Sequence, residues 1–340
     1  MYRISKWAQI LVGTIVSIGI LWLGYTHGTG VTVESLSNLD RSDAVIIQNY
    51  DGEGHSIDVA YQVPPQRVLV TYPGATELLI ALGLDNRIIG TLKPYGVEPV
   101  ELASAYSALP TLQAPFVPSK EEVLALQPDL IIGWNHHFLP NALGDVRNWY
   151  KRGVGTYIVP ATVRQGKPTV ESTVYPFIDD VGRIFGVSDR TDAYKQSLMN
   201  RIADAELRAN RRGTSPTVLI LQTYGNSTYT VYGDRYIIHD IVHKAGAITL
   251  ASKGMMTVGP ERILGYDPDY IVLVMTNDVA NMDAFTQKGI QSIAEDPNLQ
   301  HMRAVAQRRI IPVPFSAVNN GNGRVVDALE MIVNRLETDN

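Results

Sequence analysis

Two histidines stand side by side at His136-His137, directly after the apolar run Leu130–Gly133 and beside Trp134 and Asn135. Three readings of such a pair stand open: an imidazole that ligates a metal, imidazoles that hydrogen-bond a ligand's oxygens, or solvated loop histidines. A second pair, His239 and His243, has the i, i+4 spacing that sets two imidazoles on one helix face, as in zinc-dependent hydrolases. The acid between them is Asp240, shorter than the glutamate that serves as general base in those sites, so a zinc-dependent surface enzyme is kept only as an alternative. Gly321-Asn322-Gly323 is glycine-rich but lacks the lysine and spacing of a phosphate-binding loop, and no Gly-x-Ser-x-Gly occurs. The chain contains no cysteine, which removes disulfides, thiolate metal sites, a cysteine nucleophile and a lipid-bearing cysteine.

The elements that must position these residues alternate. Arg67–Thr71 reads as a strand, Ala75–Leu82 as a helix, Arg87–Thr91 as a strand, Lys120–Leu126 as a helix, Leu130–Trp134 as a strand and Thr156–Val159 as another. A long amphipathic helix over 189–212 follows, and the pattern restarts with strands at Thr217–Gln222, Tyr270–Val274 and Ile310–Val313 and a closing helix over Val325–Leu336. Ser119–Ile132 and Gly259–Val272 are near-repeats, both reading E-x-[VI]-L-x-x-x-P-D-[LY]-I-[IV]. Their glutamates, Glu121 and Glu261, fall in a first helical turn, where the helix dipole favours an acid. Glu77 reads as another first-turn acid. The fold class expected is α/β: two lobes with mainly parallel sheets flanked by helices, joined by one long interlobe helix. Ligands bind beyond the carboxyl ends of strands in such folds. That rule selects Tyr72, Trp134, Asn135, His136, His137, Tyr224, Phe315 and Asn319, with Met255 and Met256 from a loop, as a nearly acid-free cleft of aromatics, amides and imidazoles.

Arg3 and Lys6 precede an uncharged run from Trp7 to Tyr25, long enough to cross a bilayer core at about 1.5 Å per helical residue. Positive charge before the run sets the body outside the cytoplasm. A membrane anchor over 1–25 and a cleaved signal segment are both compatible with it. A polar tether over 26–43, one lobe over 44–170, a helical linker over 171–212 and a second lobe over 213–340 complete the division. Net charge is −5, without the basic footprint of a nucleic-acid binder.

The run Pro65–Leu84, with Arg87-Ile88-Ile89-Gly90 after it, both repeat segments and Asp296–Ile310 resemble, in order and spacing, the periplasmic-binding-protein-like receptors for ferric siderophores, haem and cobalamin. The resemblance covers about residues 44 to 337. It implies a non-enzymatic, extracytoplasmic substrate-binding protein of an ABC importer, with no cofactor of its own, delivering a metal chelate to a permease and its ATPase. It also implies that Glu121 and Glu261 dock against permease arginines, a role carboxylates suit through bidentate pairing. A ferric siderophore is the first ligand expected, with haem or cobalamin as others, and a monomer is expected. A tethered sensor or haem relay using the same cleft is the alternative. A receptor for free zinc or manganese would need a buried cluster of histidines and carboxylates, which these strand ends lack.

Overall fold

The computed structural model describes residues 31–32, 44–95, 100–114, 116–163, 166–223, 228–251, 254–276, 281–318 and 321–338. The anchor expected over 1–25, Tyr224 and Asn319 lie outside them. Among the described residues, no helix is long and apolar enough to cross a membrane. Val31–Thr32 (β1), Val45–Tyr50 (β2) and Ser56–Tyr61 (β3) form an antiparallel ribbon in the order β1-β3-β2. Part of the segment read as a tether is therefore a strand.

Val68–Val70 (β4), Ile88–Thr91 (β5), Leu130–Gly133 (β6) and Gly155–Ile158 (β7) make a fully parallel sheet in the order β5-β4-β6-β7. β4, β6 and β7 are buried along their whole length, the mark of strands covered on both faces. The second sheet contains Thr217–Thr223 (β8), Tyr229–Tyr232 (β9), Ile248–Thr249 (β10), Met255–Val258 (β11), Tyr270–Met275 (β12) and Ile310–Pro314 (β13). Its path is β11-β9-β8-β12-β13, with β10 on β8. β8, β12 and β13 run parallel, whereas β9 and β11 are antiparallel additions. Its side chains alternate strictly. Val218, Ile220, Val272, Val274, Ile311 and Val313 face the large core shared with the first sheet, while Leu219, Leu221, Ile271, Leu273 and Ile310 face a second core.

The helix Ser188–Arg212 lies between the sheets in sequence and spans about 37 Å at about 1.5 Å per residue. It buries one stripe, Thr191, Leu198, Ile202, Ala205 and Ala209, and ends at Gly213 in the left-handed conformation. It grips both sides. Arg190 donates to the Leu82 carbonyl, while Arg201 reaches Asp327 and Glu330 and Arg212 reaches the Ala245 and Gly246 carbonyls.

Two expectations change, and two elements are new. Met255 and Met256 lie not in a loop but in β11, where Thr257 and Val258 pair with Thr230 and Tyr229 at a sheet edge. Glu77 is not in a first turn: its helix begins at Pro73, and the carboxylate is buried. The helix Met282–Ala294 and strand β9 were not foreseen.

Candidate functional site

Because the first sheet is parallel, the residues that follow its strands emerge along one edge. Tyr72 follows β4, Tyr95 lies beyond β5, Trp134 follows β6 and Thr162 lies beyond β7. Trp134 is the hub. Its ring meets Tyr72 at 5.6 Å, Tyr95 at 6.4 Å, His136 edge-on at 4.9 Å and His137 in a stack at 6.2 Å. Tyr95 in turn meets Phe315, which follows β13 of the second sheet, at 5.6 Å and 89°. The aromatic chain thus bridges the strand ends of both sheets. At its other end Phe116 stacks on His136 at 4.9 Å and 20°, with almost half of its surface open to solvent. Edge and offset contacts of this kind stabilise aromatic clusters beyond area burial alone.

The two imidazoles differ. His136 is half-buried under Phe116. His137 is fully buried, and its Nδ1 lies 2.9 Å from the Thr71 hydroxyl. Gly133 makes that pairing possible, since a Cβ there would come within 2.5 Å of the Thr71 oxygen. The Thr71 hydroxyl is also 3.3 Å from the Ile132 carbonyl. If it donates there, His137 Nδ1–H donates to Thr71 and Nε2 carries a lone pair; if it donates to Nδ1, Nε2–H is a donor. Burial, with His136 nearby, holds the His137 pKa down to about 3, so the ring is neutral at physiological pH. Burial raises Tyr95 to about 12, which keeps its phenol protonated. His137 Nε2 and Trp134 Nε1 are buried without a hydrogen-bond partner among the described residues. Buried polar atoms in folded proteins are nearly always paired, so two such atoms on neighbouring stacked rings single out this strand end among the described residues.

The structure brings Tyr72, Trp134, Asn135, His136, His137 and Phe315 together. Tyr72 is fully enclosed behind Trp134 and backs the wall rather than facing solvent. Asn135 is held by its backbone N–H, which donates to the Thr162 hydroxyl at 3.2 Å. Met256 is half-buried in β11, and of Met255 only the strand is described. Tyr95 and Phe116 were missed. Tyr95 was within reach of the strand-end rule, four residues beyond Thr91; no local pattern marks Phe116. Glu121 and Glu261 are exposed, each in the first turn of its helix, and each is followed by an exposed leucine, Leu124 or Leu264. His239 and His243 place Nε2 2.6 and 3.5 Å from the Thr249 hydroxyl. Neither belongs to a group of three close metal-ligating side chains among the described residues, where only Asp51, Glu53 and His55 form one.

Residues 68–317 match the model of a family described as periplasmic binding protein. An uncharacterized ABC transporter substrate-binding lipoprotein, YvrC, of Bacillus subtilis (strain 168) is 22% identical over 99% of this chain and 98% of its own. Among solved structures, an ABC-type Fe3+-hydroxamate transport system protein from Saccharomonospora viridis DSM 43017 superposes with a TM-score of 0.69 at 24% identity, covering 86% of this chain and 98% of that one. The periplasmic heme-binding protein RhuT from Roseiflexus sp. RS-1, in apo form, gives 0.62 at 21%, covering 80% and 98%.

Proposed function

The chain belongs to the periplasmic binding protein family, and from that premise we propose that it is the extracytoplasmic receptor of an ABC importer, capturing a metal chelate between two lobes and handing it to a permease. The lobes are residues 44–170 and 213–340, with the segment 171–212 between them. The observation that carries the ligand assignment is the aromatic wall reached from both sheets, with two buried atoms in it, His137 Nε2 and Trp134 Nε1, that have no hydrogen-bond partner among the described residues. That wall suits a bulky, partly apolar chelate, whose periphery offers ring faces and oxygen acceptors. The similar structures named for iron hydroxamate and haem support the same class. A ferric siderophore leads, with haem and cobalamin next, since fold alone does not select among them. Tyr95 and Phe116 join Trp134, Asn135, His136, His137 and Phe315 as ligand contacts; no catalytic step is needed, because the importer's ATPase supplies the energy.

Glu121 and Glu261 are the docking carboxylates in this reading. Their equivalent placement on two repeated helices, each with an exposed leucine at the next turn, supports a pair of matching contacts on a two-fold permease. Residues 7–25 hold the protein at the membrane; the sequence has no cysteine to carry the lipid that the description of the B. subtilis relative implies. Equilibrium dialysis of the full chain in detergent against a ferric hydroxamate, a ferric catecholate, haemin and cobalamin tests the ligand class. Retention of one of these at one per chain is expected. Retention of none by the folded protein contradicts the proposal.

A further inference from the structure

The glycine-rich segment Gly321-Asn322-Gly323-Arg324 fits no nucleotide motif, yet three parts of the chain meet on it. Gly321, at φ +53°, packs against Ala161 just beyond β7, where a Cβ would come within 2.3 Å of the alanine's own Cβ. Gly323 abuts Tyr194 of the 188–212 helix, and a Cβ there would lie 2.0 Å from the phenol oxygen. Asn322 is buried, and its Nδ2 donates to the Gly74 carbonyl and to Glu77 Oε2, both at 2.9 Å. Arg324 Nη1 donates to Glu77 Oε1 at 3.1 Å and to the Ser316 hydroxyl at 2.9 Å. The Glu77 and Arg324 side chains are 2% and 11% exposed. From Arg324 the charges continue through Asp327, 3.6 Å away, to Arg201 of the long helix, 2.7 Å further.

The location of this node gives it a role. Gly74 and Glu77 lie on the helix that starts directly after Tyr72, the residue backing Trp134. Ser316 adjoins Phe315, which closes the aromatic chain from the other sheet. One partly buried guanidinium and one buried amide therefore tie the roots of both walls. We propose that Glu77, Asn322 and Arg324 are positioning residues that lock the spacing between the Tyr72–Trp134 wall and the Phe315 wall, so that the cleft keeps one width with or without a ligand. What the cleft holds rests on the function proposed above; the lock itself does not. Arg324→Met removes the buried Glu77 carboxylate's cationic partner, and Glu77→Gln removes the guanidinium's tie to the first wall, so either change weakens the link between the walls.

The chain has no cysteine, so spin labels can be placed at will. Exposed Ser107 and Lys288, on helices flanking the first and second sheets, are changed to cysteine and labelled in the full-length protein. Pulsed electron-spin distance measurement should give the parent one narrow distribution, unchanged by saturating ferric hydroxamate or haemin. Arg324→Met and Glu77→Gln, shown folded by circular dichroism, should at least double its width, and any chelate the parent binds should dissociate at least tenfold faster. A role in stability alone would lower the melting temperature and leave the width of the folded protein unchanged. If Arg324→Met does not fold, Asn322→Ala and Ser316→Ala decide, each broadening the distribution less. Folded variants with the parent's width, or a parent that is itself broad, overturn the lock. A parent that binds none of the chelates removes the ligand assignment while the width comparison still stands.

Discussion

The segments 119–132 and 259–272 are built alike and lead to different places. Burial matches position for position over 121–130 and 261–270, with Val123, Pro128 and Leu130 answering Ile263, Pro268 and Tyr270. Each helix is released through a left-handed non-glycine residue, Gln127 at φ 49° and Asp267 at φ 38°. Each following aspartate then latches a neighbouring strand. Asp129 accepts the Gln66 and Arg67 N–H groups at 2.7 and 2.9 Å; Asp269 accepts the Thr217 N–H and hydroxyl, both at 2.8 Å. Beyond the strands the likeness ends. β6 opens into Trp134, Asn135, His136 and His137, whereas β12 reaches exposed Thr276 without an aromatic or an imidazole. A duplicated frame thus carries unduplicated side chains: the frame sets strand and helix geometry, and aromatics and imidazoles gather just past one strand only.

The comparison breaks most visibly if only one of the two latches contributes to stability. Asp129→Ala should cost about 3 kcal/mol in urea unfolding, from two hydrogen bonds to a charged group at about 1.5 kcal/mol each, and Asp269→Ala somewhat more, because Arg303 Nη1 also donates to that carboxylate at 2.7 Å. A loss in only one would show that the repeat is formal rather than energetic.

The next effect belongs to one copy alone. His137 has its folded pKa depressed to about 3, below the unfolded value, so the unfolded chain takes up the proton first as pH falls. Stability is intact above about pH 6.5 and declines below it, by about 2 kcal/mol at pH 5 at 1.36 kcal/mol per unit. Unfolding at pH 7.5 and 5 should show that component in the parent and lack it in His137→Asn. An equal decline in both would assign it elsewhere.

The smallest stability effect is expected where the copies match on the surface. Glu121→Ala and Glu261→Ala should each change stability by under about 0.5 kcal/mol, as exposed substitutions do. Each should nevertheless weaken stimulation of the cognate permease–ATPase, and the double variant should abolish it. Full stimulation by the double variant would remove the docking role.

What the sequence disclosed follows the same division. The repeat, the β-α order and the 188–212 helix were legible because each depends on local spacing and helix-ending residues. That Trp134, His136 and His137 gather at one strand end was legible because a strand end is a place the fold defines. Phe116 was not, since its stacking on His136 arises from a loop twenty residues earlier in the chain. Glu77 looked like a first-turn acid because its partners, Asn322 and Arg324, are about 245 residues away. The antiparallel pairing of β9 with β11 likewise depends on contacts that no single segment encodes.

The central claim, that ligand chemistry sits past β6, is tested most directly by tryptophan fluorescence. Four tryptophans are present, and replacing Trp7 and Trp22 with phenylalanine leaves Trp134 in the aromatic wall and Trp149 buried with Nε1 donating to the Leu143 carbonyl. Titration with the chelate retained in dialysis should quench this protein saturably, quench a Trp149→Phe variant equally, and largely spare a Trp134→Phe variant. Quenching that persists in Trp134→Phe and vanishes in Trp149→Phe would put the ligand elsewhere and contradict the account.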